Sequence, residues 1–176
     1  MIRVSKLTAF TNLTPPWYNG REKKKEDSAM TAPVSVKLLD PRAKVPTYGS
    51  ADAAGADIYA LTDGPVTIAP GETVLIHTGL AFAIPRGYVG LVHARSGMAT
   101  KQGLAPANKV GVIDADYRGE LMVALHNHGG ESRTVQCGDR IAQMVITPYL
   151  TAAFECVDEL DDTVRGVGGF GSTGTR

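Results

Sequence analysis

The chain is 176 residues long, enough for one domain with a hydrophobic core, and its 18 basic and 18 acidic residues balance to a net charge of zero. Six of the basic and three of the acidic residues lie in the first 30, so the remainder is mildly acidic, which excludes the broad basic face that general nucleic-acid binding requires. No apolar run is long enough to span a membrane, and the N-terminus lacks the apolar core of a secretory signal. We therefore expect a cytoplasmic protein with no membrane partner, in which Cys137 and Cys156 are free thiols.

Residues 1–30 are predicted to be an extension outside the main domain. Residues 14–20 are rich in turn formers, residues 21–27 are a charge run, and no apolar periodicity supports a packed element. We expect a flexible tail, and two alternatives stay open: a targeting or interaction arm, or a natural start at Met30.

Residues 31–163 are predicted to form one all-β domain with one short helix. The 20 glycines, 10 prolines and 6% aromatic residues suit many short strands joined by turns. Apolar alternation and turn signals predict strands at residues 34–38, 57–61, 66–68, 73–78, 80–84, 88–93, 121–127, 133–136, 141–146 and 154–157. Residues 98–102 are predicted to be helical, with Ser96 as the N-terminal cap. This pattern indicates a β-sandwich or jelly roll.

Within that domain, residues 111–119 carry the clearest signal for chemistry. An apolar run enters them and another leaves at residues 121–125, as in a β-hairpin or a tight β-arch. Asp114 falls where the first strand meets the turn, so its carboxylate would be held in place and could orient a water molecule. Tyr117 at the tip could offer a flat ring to a sugar or a base. The alternative is a surface turn with solvated acids.

Three further segments contain residues suited to anion binding. Arg95, Ser96 and Gly97 lie between a strand and the short helix, where an anion site or a plain helix cap is expected. Gln143 lies among apolar residues and needs polar partners, either a neighbouring backbone or a ligand. Asp57 begins an extended segment and either caps a turn or organises a charged site. His126 and His128 have no cysteine or acid at ligand spacing, so a zinc site is not expected.

The glycine-rich residues 164–176 are predicted to be a C-terminal arm. Glycine lets backbone N–H groups approach phosphate oxygens, and hydroxyl and guanidinium donors add to this. The arm combines these groups with one aromatic ring: Arg165, Phe170, Gly171, Ser172 and Thr173. An ordinary flexible tail is the alternative, and no Walker loop is present in the sequence.

Five segments in this order resemble the motifs of the trimeric dUTPase family. They are residues 54–57, 94–98, 111–119, 138–144 and 165–174, and the similarity extends from about Val34 to the C-terminus. Ala94 stands where the second motif more often has proline. Each motif is weak alone, whereas five in sequence order are specific.

The resemblance implies a distorted jelly roll, a homotrimer with three active sites shared between subunits, and Mg²⁺-dependent hydrolysis of dUTP to dUMP and pyrophosphate. Asp114 would be the general base, Tyr117 would pack under the deoxyribose, and Asp57 would act on the metal through water, with no direct protein ligand to it. The base would be contacted by Asn108, Val112, Ile113 and Met122, and the phosphates by Arg95, Ser96, Gly97 and Gln143. From a neighbouring subunit, Arg165, Ser172 and Thr173 would clamp the outer phosphates and Phe170 would cover the base. Gly171 of the same arm would also bind the substrate.

Two other functions remain open at this point. A dCTP deaminase-like enzyme of the same fold would be expected to carry a glutamate near position 124, where this chain has Ala124. A non-catalytic nucleotide-sensing protein would be expected to have lost Asp114 or the arm, and this chain has both.

Overall fold

A computed structural model describes residues 31–169, and residues 32–169 belong to one compact unit. The predicted extension at residues 1–30 lies outside the described part. The elements in chain order are β1 (Ser35–Leu38), β2 (Thr47–Tyr48), β3 (Ala56–Tyr59), β4 (Val66–Ile68), β5 (Thr73–Ala83), β6 (Tyr88–His93), α1 (Ser96–Gln102), β7 (Leu104–Pro106), β8 (Val110–Ile113), β9 (Glu120–Asn127), β10 (Arg133–Val135) and β11 (Arg140–Pro148). The predicted all-β class with one short helix is confirmed.

Two larger antiparallel sheets enclose the core. One has the strand order β1-β5-β9-β7 and the other β2-β3-β11-β6-β8, and β10 pairs with β4 in a small third sheet. Leu80 and Leu125 from the first sheet pack with Ile58, Val92 and Met144 from the second in one buried cluster. Two sheets packed face to face with crossing connections form the distorted jelly roll that was predicted. No helix among the described residues is long and apolar enough to cross a membrane.

Strand β9 shows how local sequence produces this packing. Its residues alternate between buried and more exposed, with Leu121, Val123 and Leu125 facing the core. Burying each such aliphatic side chain contributes about 1.5–3 kcal/mol. Asn127 continues the buried series although it is polar. Its Nδ2 donates to the carbonyls of Ile68 and Glu131 at 2.9 and 2.8 Å, and its Oδ1 accepts from the N–H of Gly129 at 2.9 Å, so burial leaves it satisfied.

The prediction of separate strands at residues 73–78 and 80–84 is wrong, because β5 continues through both. The pairing of β5 with β9 shifts register between His77 and Ala81, which marks a β-bulge. Gly79 in the bulge has φ 67°, a conformation that glycine adopts without strain. A glycine in a strand was therefore a sign of a bulge, and not of a strand end.

Two further local predictions are wrong. Ser96 is the first residue of α1, whose cap position is Arg95, and no side chain within residues 31–169 caps the helix by a hydrogen bond. Residues 154–157 form no strand, and Phe154 is 96% exposed. A strand needs a hydrogen-bonding partner, and no described residue of the same chain pairs with this segment.

The two strands that flank residues 114–119 lie in different sheets. β8 pairs with β6, while β9 pairs with β5 and β7. Of the two predicted arrangements, the structure therefore has the β-arch, and the turn between the strands crosses from one sheet to the other.

Candidate functional site

The crossing turn forms one wall of a pocket of about 230 Å³. The pocket is lined by Leu75, Val112, Ile113, Asp114, Tyr117, Glu120, Leu121 and Met122. Five of the residues predicted for the base, the sugar and the catalytic water are thus brought together here. A pocket with an aromatic ring, aliphatic walls and few charged groups suits a flat organic group with a polar edge.

The ring of Tyr117 is held in the pocket by contacts within the turn. Its hydroxyl donates a hydrogen bond to the carbonyl of Glu120 at 3.0 Å, and its N–H donates to the carbonyl of Asp114 at 3.2 Å. The ring also lies directly against Gly119, where a Cβ atom would come within 2.6 Å of Tyr117 Cζ. Glycine at this position therefore makes room for the ring.

Two carboxylates line the pocket, and their surroundings differ. Asp114 is exposed, and its carboxylate oxygens accept no hydrogen bond from any described residue. Glu120 Oε1 accepts from the N–H groups of Gly79 at 2.8 Å and Thr78 at 3.2 Å, while Oε2 accepts from His77 Nδ1 at 2.9 Å. Asp114 is thus free to bind water or a ligand, whereas Glu120 is already engaged.

These contacts also act on the ionisation of Glu120. Partial burial acts to raise the pKa of Glu120, but the hydrogen bonds from His77 and from the N–H groups of Gly79 and Thr78 outweigh it and hold the pKa below its ordinary value. The carboxylate is therefore ionised at neutral pH, and His77 Nδ1 carries the proton that it donates.

A second cluster lies on the five-stranded sheet around Asp57. This carboxylate is buried, with 8% of the residue exposed. Oδ1 accepts from Arg95 Nε at 2.7 Å and Oδ2 accepts from Arg140 Nη1 at 3.2 Å, and Arg95 Nη1 also donates to the carbonyl of Arg140 at 3.3 Å. With two guanidinium groups and one carboxylate, the cluster carries a surplus positive charge and unused donors, which suits an anion.

Gln143 and the start of α1 adjoin this cluster. Gln143 is opposite Asp57 on β3 and His93 on β6, and its Nε2 donates to the carbonyl of Ala94 at 3.2 Å. Gln143 thus has the neighbouring-backbone partner that was one of its two predicted roles. Ser96 and Gly97 are exposed in the first turn of α1, which contains no acidic residue. A Cβ atom at Gly97 would meet nothing within 4 Å, so packing does not require glycine there.

The pocket and the arginine cluster lie at opposite ends of the β6–β8 pairing. His93 is opposite Val110, while Gly90 is opposite Ile113, which Asp114 follows. At about 3.3 Å per residue, Asp114 lies roughly 13 Å along the strand from Val110, and Arg95 lies beyond His93 in the other direction. One chain therefore separates the two groups of predicted site residues by more than 13 Å of sheet.

Two predicted residues that the structure describes are not brought into either group. Asn108 is exposed in the turn before β8 and does not line the pocket. Arg165 is exposed in the segment after β11, where its Nε donates to the carbonyl of Gly168 at 2.8 Å. Phe170, Gly171, Ser172 and Thr173 lie outside the described residues.

Arg140 and Glu120 were not predicted as site residues. Arg140 and Gln143 are three apart in sequence, so regular strand alternation would place them on opposite faces. A register shift between Arg140 and Ala142 changes this, and Ile141 and Ala142 are both buried while the other two are more exposed. No sequence signal marked that bulge. Glu120 directly precedes the strand predicted at residues 121–127, and nothing in its sequence context distinguished it from a solvent-exposed polar residue.

No group of three or more His, Cys, Asp or Glu side chains within residues 31–169 is arranged to hold a metal ion. Both carboxylate oxygens of Asp57 accept from arginines, and Asp114 offers a single free carboxylate. This donor set fits a magnesium ion that takes most of its ligands from phosphate and water.

Comparison with known proteins gives a consistent result. The dUTPase family model matches residues 41–174. The deoxyuridine 5'-triphosphate nucleotidohydrolase of Syntrophotalea carbinolica is 51% identical over 144 residues, covering 82% of this chain and 98% of that protein. The enzyme of the same name from Desulfitobacterium hafniense is 54% identical over 136 residues, covering 77% and 90%.

Solved structures agree with the sequence comparison. The dUTPase of Staphylococcus bacteriophage 80alpha, solved with dUPNHPP, is similar with a TM-score of 0.75 and 32% identity, over 82% of this chain and 100% of that one. The dUTPase from phage phi11 of S. aureus is similar with a TM-score of 0.67 and 30% identity, over 74% and 99%.

Proposed function

The chain belongs to the dUTPase family, and from this premise we propose that it is a dUTP diphosphatase, which hydrolyses dUTP to dUMP and pyrophosphate. Such an activity would limit uracil incorporation into DNA and supply dUMP for dTMP synthesis. The observation that carries the proposal is the free carboxylate of Asp114 beside the fixed ring of Tyr117 in one pocket.

Asp114 acts in this proposal as the general base. Its carboxylate takes a proton from a water molecule, whose oxygen attacks the triphosphate while pyrophosphate leaves. The engagement of Glu120 by three donors supports the choice of Asp114, because a carboxylate that already accepts those bonds is a poor acceptor for another proton.

The pocket supports recognition of a deoxyuridine. The ring of Tyr117 would pack under the deoxyribose and exclude a 2′-hydroxyl, while Val112, Ile113 and Met122 would surround the base. Reading of the uracil edge by backbone groups and by Asn108 would reject cytosine, because an amino group in place of O4 would leave one donor facing another.

The arginine cluster would hold the phosphates. Arg95 and Gln143, with the exposed first turn of α1 at Ser96 and Gly97, provide donors and positive charge, and Asp57 fixes the direction of the guanidinium of Arg95.

We propose that the active site forms between subunits of a homotrimer. Within one chain the pocket and the arginine cluster are too far apart along β6 and β8 to enclose one reacting phosphate. Residues 149–169 also pair with no strand in the part of the chain that the structure describes. Both features are explained if the pocket of one subunit faces the arginine cluster of another subunit. A neighbouring arm would then bring Arg165, Ser172 and Thr173 to the phosphates and Phe170 over the base, with Gly171 also contacting the substrate.

We also propose Mg²⁺ as the cofactor. Held mainly by phosphate oxygens and water, the ion would neutralise charge that develops on the triphosphate. Asp57 would reach it only through water, and the arginines that it contacts would share the remaining phosphate charge.

Pyrophosphate release with Mg²⁺ tests the proposal when dUTP, dCTP, dTTP and UTP are compared in parallel. We expect release from dUTP alone. Ammonia from dCTP would indicate the deaminase-like alternative, and dUTP binding without turnover would indicate a nucleotide sensor.

The role of Asp114 is tested by Asp114→Asn, with the exposed Asp63→Asn as the control. We expect the first variant to lose about 10²–10⁴-fold in kcat, the range of general-base catalysis, with little change in nucleotide affinity. Turnover by Asp114→Asn at the wild-type rate would show that another group is the base.

A further inference from the structure

Glu120 joins two parts of the fold that meet beside the pocket. Its side chain is 23% exposed and binds the β-bulge of β5 through the N–H groups of Thr78 and Gly79. The bulge is the place where β5 and β9 lose their regular pairing. The hydroxyl of Thr78 donates to the carbonyl of Leu121 there, and the carbonyl of Gly79 accepts the N–H of Leu39 at 2.8 Å. Beside these bonds, the carboxylate accepts from two N–H groups of the bulge that regular strand pairing leaves without a β9 carbonyl.

The main chain of the same residue holds the aromatic ring. The carbonyl of Glu120 accepts a hydrogen bond from the hydroxyl of Tyr117 at 3.0 Å. Glu120 is also the residue of β9 that is paired with Ala81 of β5, next to the bulge. A movement of Glu120 relative to β5 would therefore move the atom that fixes the ring.

We propose that Glu120 is a positioning residue for substrate selectivity. Its carboxylate binds the β5 bulge and so fixes the position of Glu120 at the start of β9. The main-chain carbonyl of Glu120 then sets the position of the Tyr117 ring against the sugar. The inference rests on the proposed function, since selectivity is defined for dUTP against UTP. Glu120 lines the same pocket as Tyr117, and both of its carboxylate oxygens are engaged by the bulge and by His77.

The proposal is tested with Glu120→Ala and Glu120→Gln, compared with Glu72→Ala. Glutamine keeps an acceptor oxygen for the two N–H groups of the bulge, and its amide can donate to a neutral His77. Glu72 is a matched control because its Oε2 also accepts a backbone N–H, that of Ala69 at 2.7 Å, in the turn at the other end of β5. The measurement is kcat and KM for dUTP and for UTP, with Mg²⁺ present.

We expect Glu120→Ala to lower the ratio of kcat/KM for dUTP over UTP by about tenfold, the effect of losing one well-placed contact. The loss should come mainly from a higher KM for dUTP and better use of UTP, whereas a purely structural defect would lower both activities in parallel. Glu120→Gln should restore the wild-type ratio, and Glu72→Ala should keep it while unfolding at a lower temperature.

A folded Glu120→Ala protein with the wild-type ratio would overturn the proposal, as would a Glu120→Gln protein with the alanine phenotype. If the alanine variant does not fold, Glu120→Asp takes its place, because the side chain is one methylene shorter and falls short of the bulge. If wild-type protein hydrolyses no dUTP, the proposed function fails by itself. Titration with a non-hydrolysable dUTP analogue and its ribose counterpart then measures the same ratio as a ratio of affinities.

Discussion

Replacement of Asp57 by asparagine tests whether the phosphate contacts proposed for the arginine cluster depend on its charge or on its geometry. Asp57 is buried and accepts from Arg95 at 2.7 Å and from Arg140 at 3.2 Å. Asparagine keeps one acceptor oxygen but turns an NH₂ group toward one guanidinium. The surplus positive charge of the cluster rises by one, while the arginines lose their fixed direction.

The expected cost in stability follows from these contacts. The bond to Arg95, whose side chain is 27% exposed, is charge-assisted and contributes about 1.5–3 kcal/mol. The bond to Arg140, whose side chain is 51% exposed, is screened by water and contributes about 0.5–1 kcal/mol. Because asparagine retains part of this, we expect the free energy of unfolding to fall by about 2–3 kcal/mol.

Urea unfolding at one fixed protein concentration measures that change, since association with other subunits would shift the midpoint. Titration with a non-hydrolysable dUTP analogue measures the affinity. We expect weaker binding in spite of the added positive charge. The exposed Asp63→Asn, which removes a surface contact with Arg42, should change neither quantity. Equal or tighter nucleotide binding by Asp57→Asn, with unchanged stability, would refute the argument from geometry.

Three further predictions follow from single positions. Gly97→Ala should leave the fold intact and stabilise α1 by about 0.5–1 kcal/mol, because alanine is the better helix former and its Cβ would meet no described atom within 4 Å. The same variant should raise KM for dUTP if a phosphate approaches the backbone at this position. An unchanged KM would argue against that approach. Gly119→Ala should displace the ring of Tyr117, because a Cβ at position 119 would lie 2.6 Å from Tyr117 Cζ. Hydrolysis of UTP should then increase relative to hydrolysis of dUTP. If the variant kept the wild-type preference for dUTP over UTP, the position of the ring would not determine that preference. The pKa of Glu120 is held below its ordinary value of 4.5 in the fold, so its contribution to stability is present above that pH and lost as the pH falls through the lower folded pKa. Urea unfolding of wild type and Glu120→Gln should therefore differ at neutral pH and converge in acid, and a constant difference would contradict the assignment.

The pocket was largely predictable because its residues are neighbours in sequence. Val112, Ile113, Asp114 and Tyr117 lie within six positions, and a turn between two apolar runs has few ways to arrange them. The apolar alternation of β9 likewise determined which of its side chains face the core, since the side-chain period of a strand is a local property.

The arginine cluster required the register between distant strands. Asp57 is opposite Gln143 only because β11 pairs with β3 in one of several possible alignments, and Arg140 joins the cluster only because a bulge follows it. Such alignments depend on the hydrogen bonds and packing of the whole sheet, which residue spacing within one strand does not report.

The sequence by itself determined the strand-rich class, the order of the five motifs and, through them, the family. The tertiary structure decided that residues 73–83 are one bulged strand, that the turn after β8 crosses between sheets, and that Glu120 is engaged while Asp114 is free. The physical reason is the same in each case. Periodicity and turn chemistry act over a few residues. A bulge, a sheet crossing or the partner of a carboxylate depends on residues far away in the chain. The N–H of Gly79, for example, donates to Glu120 Oε1, which is 41 positions further along the chain.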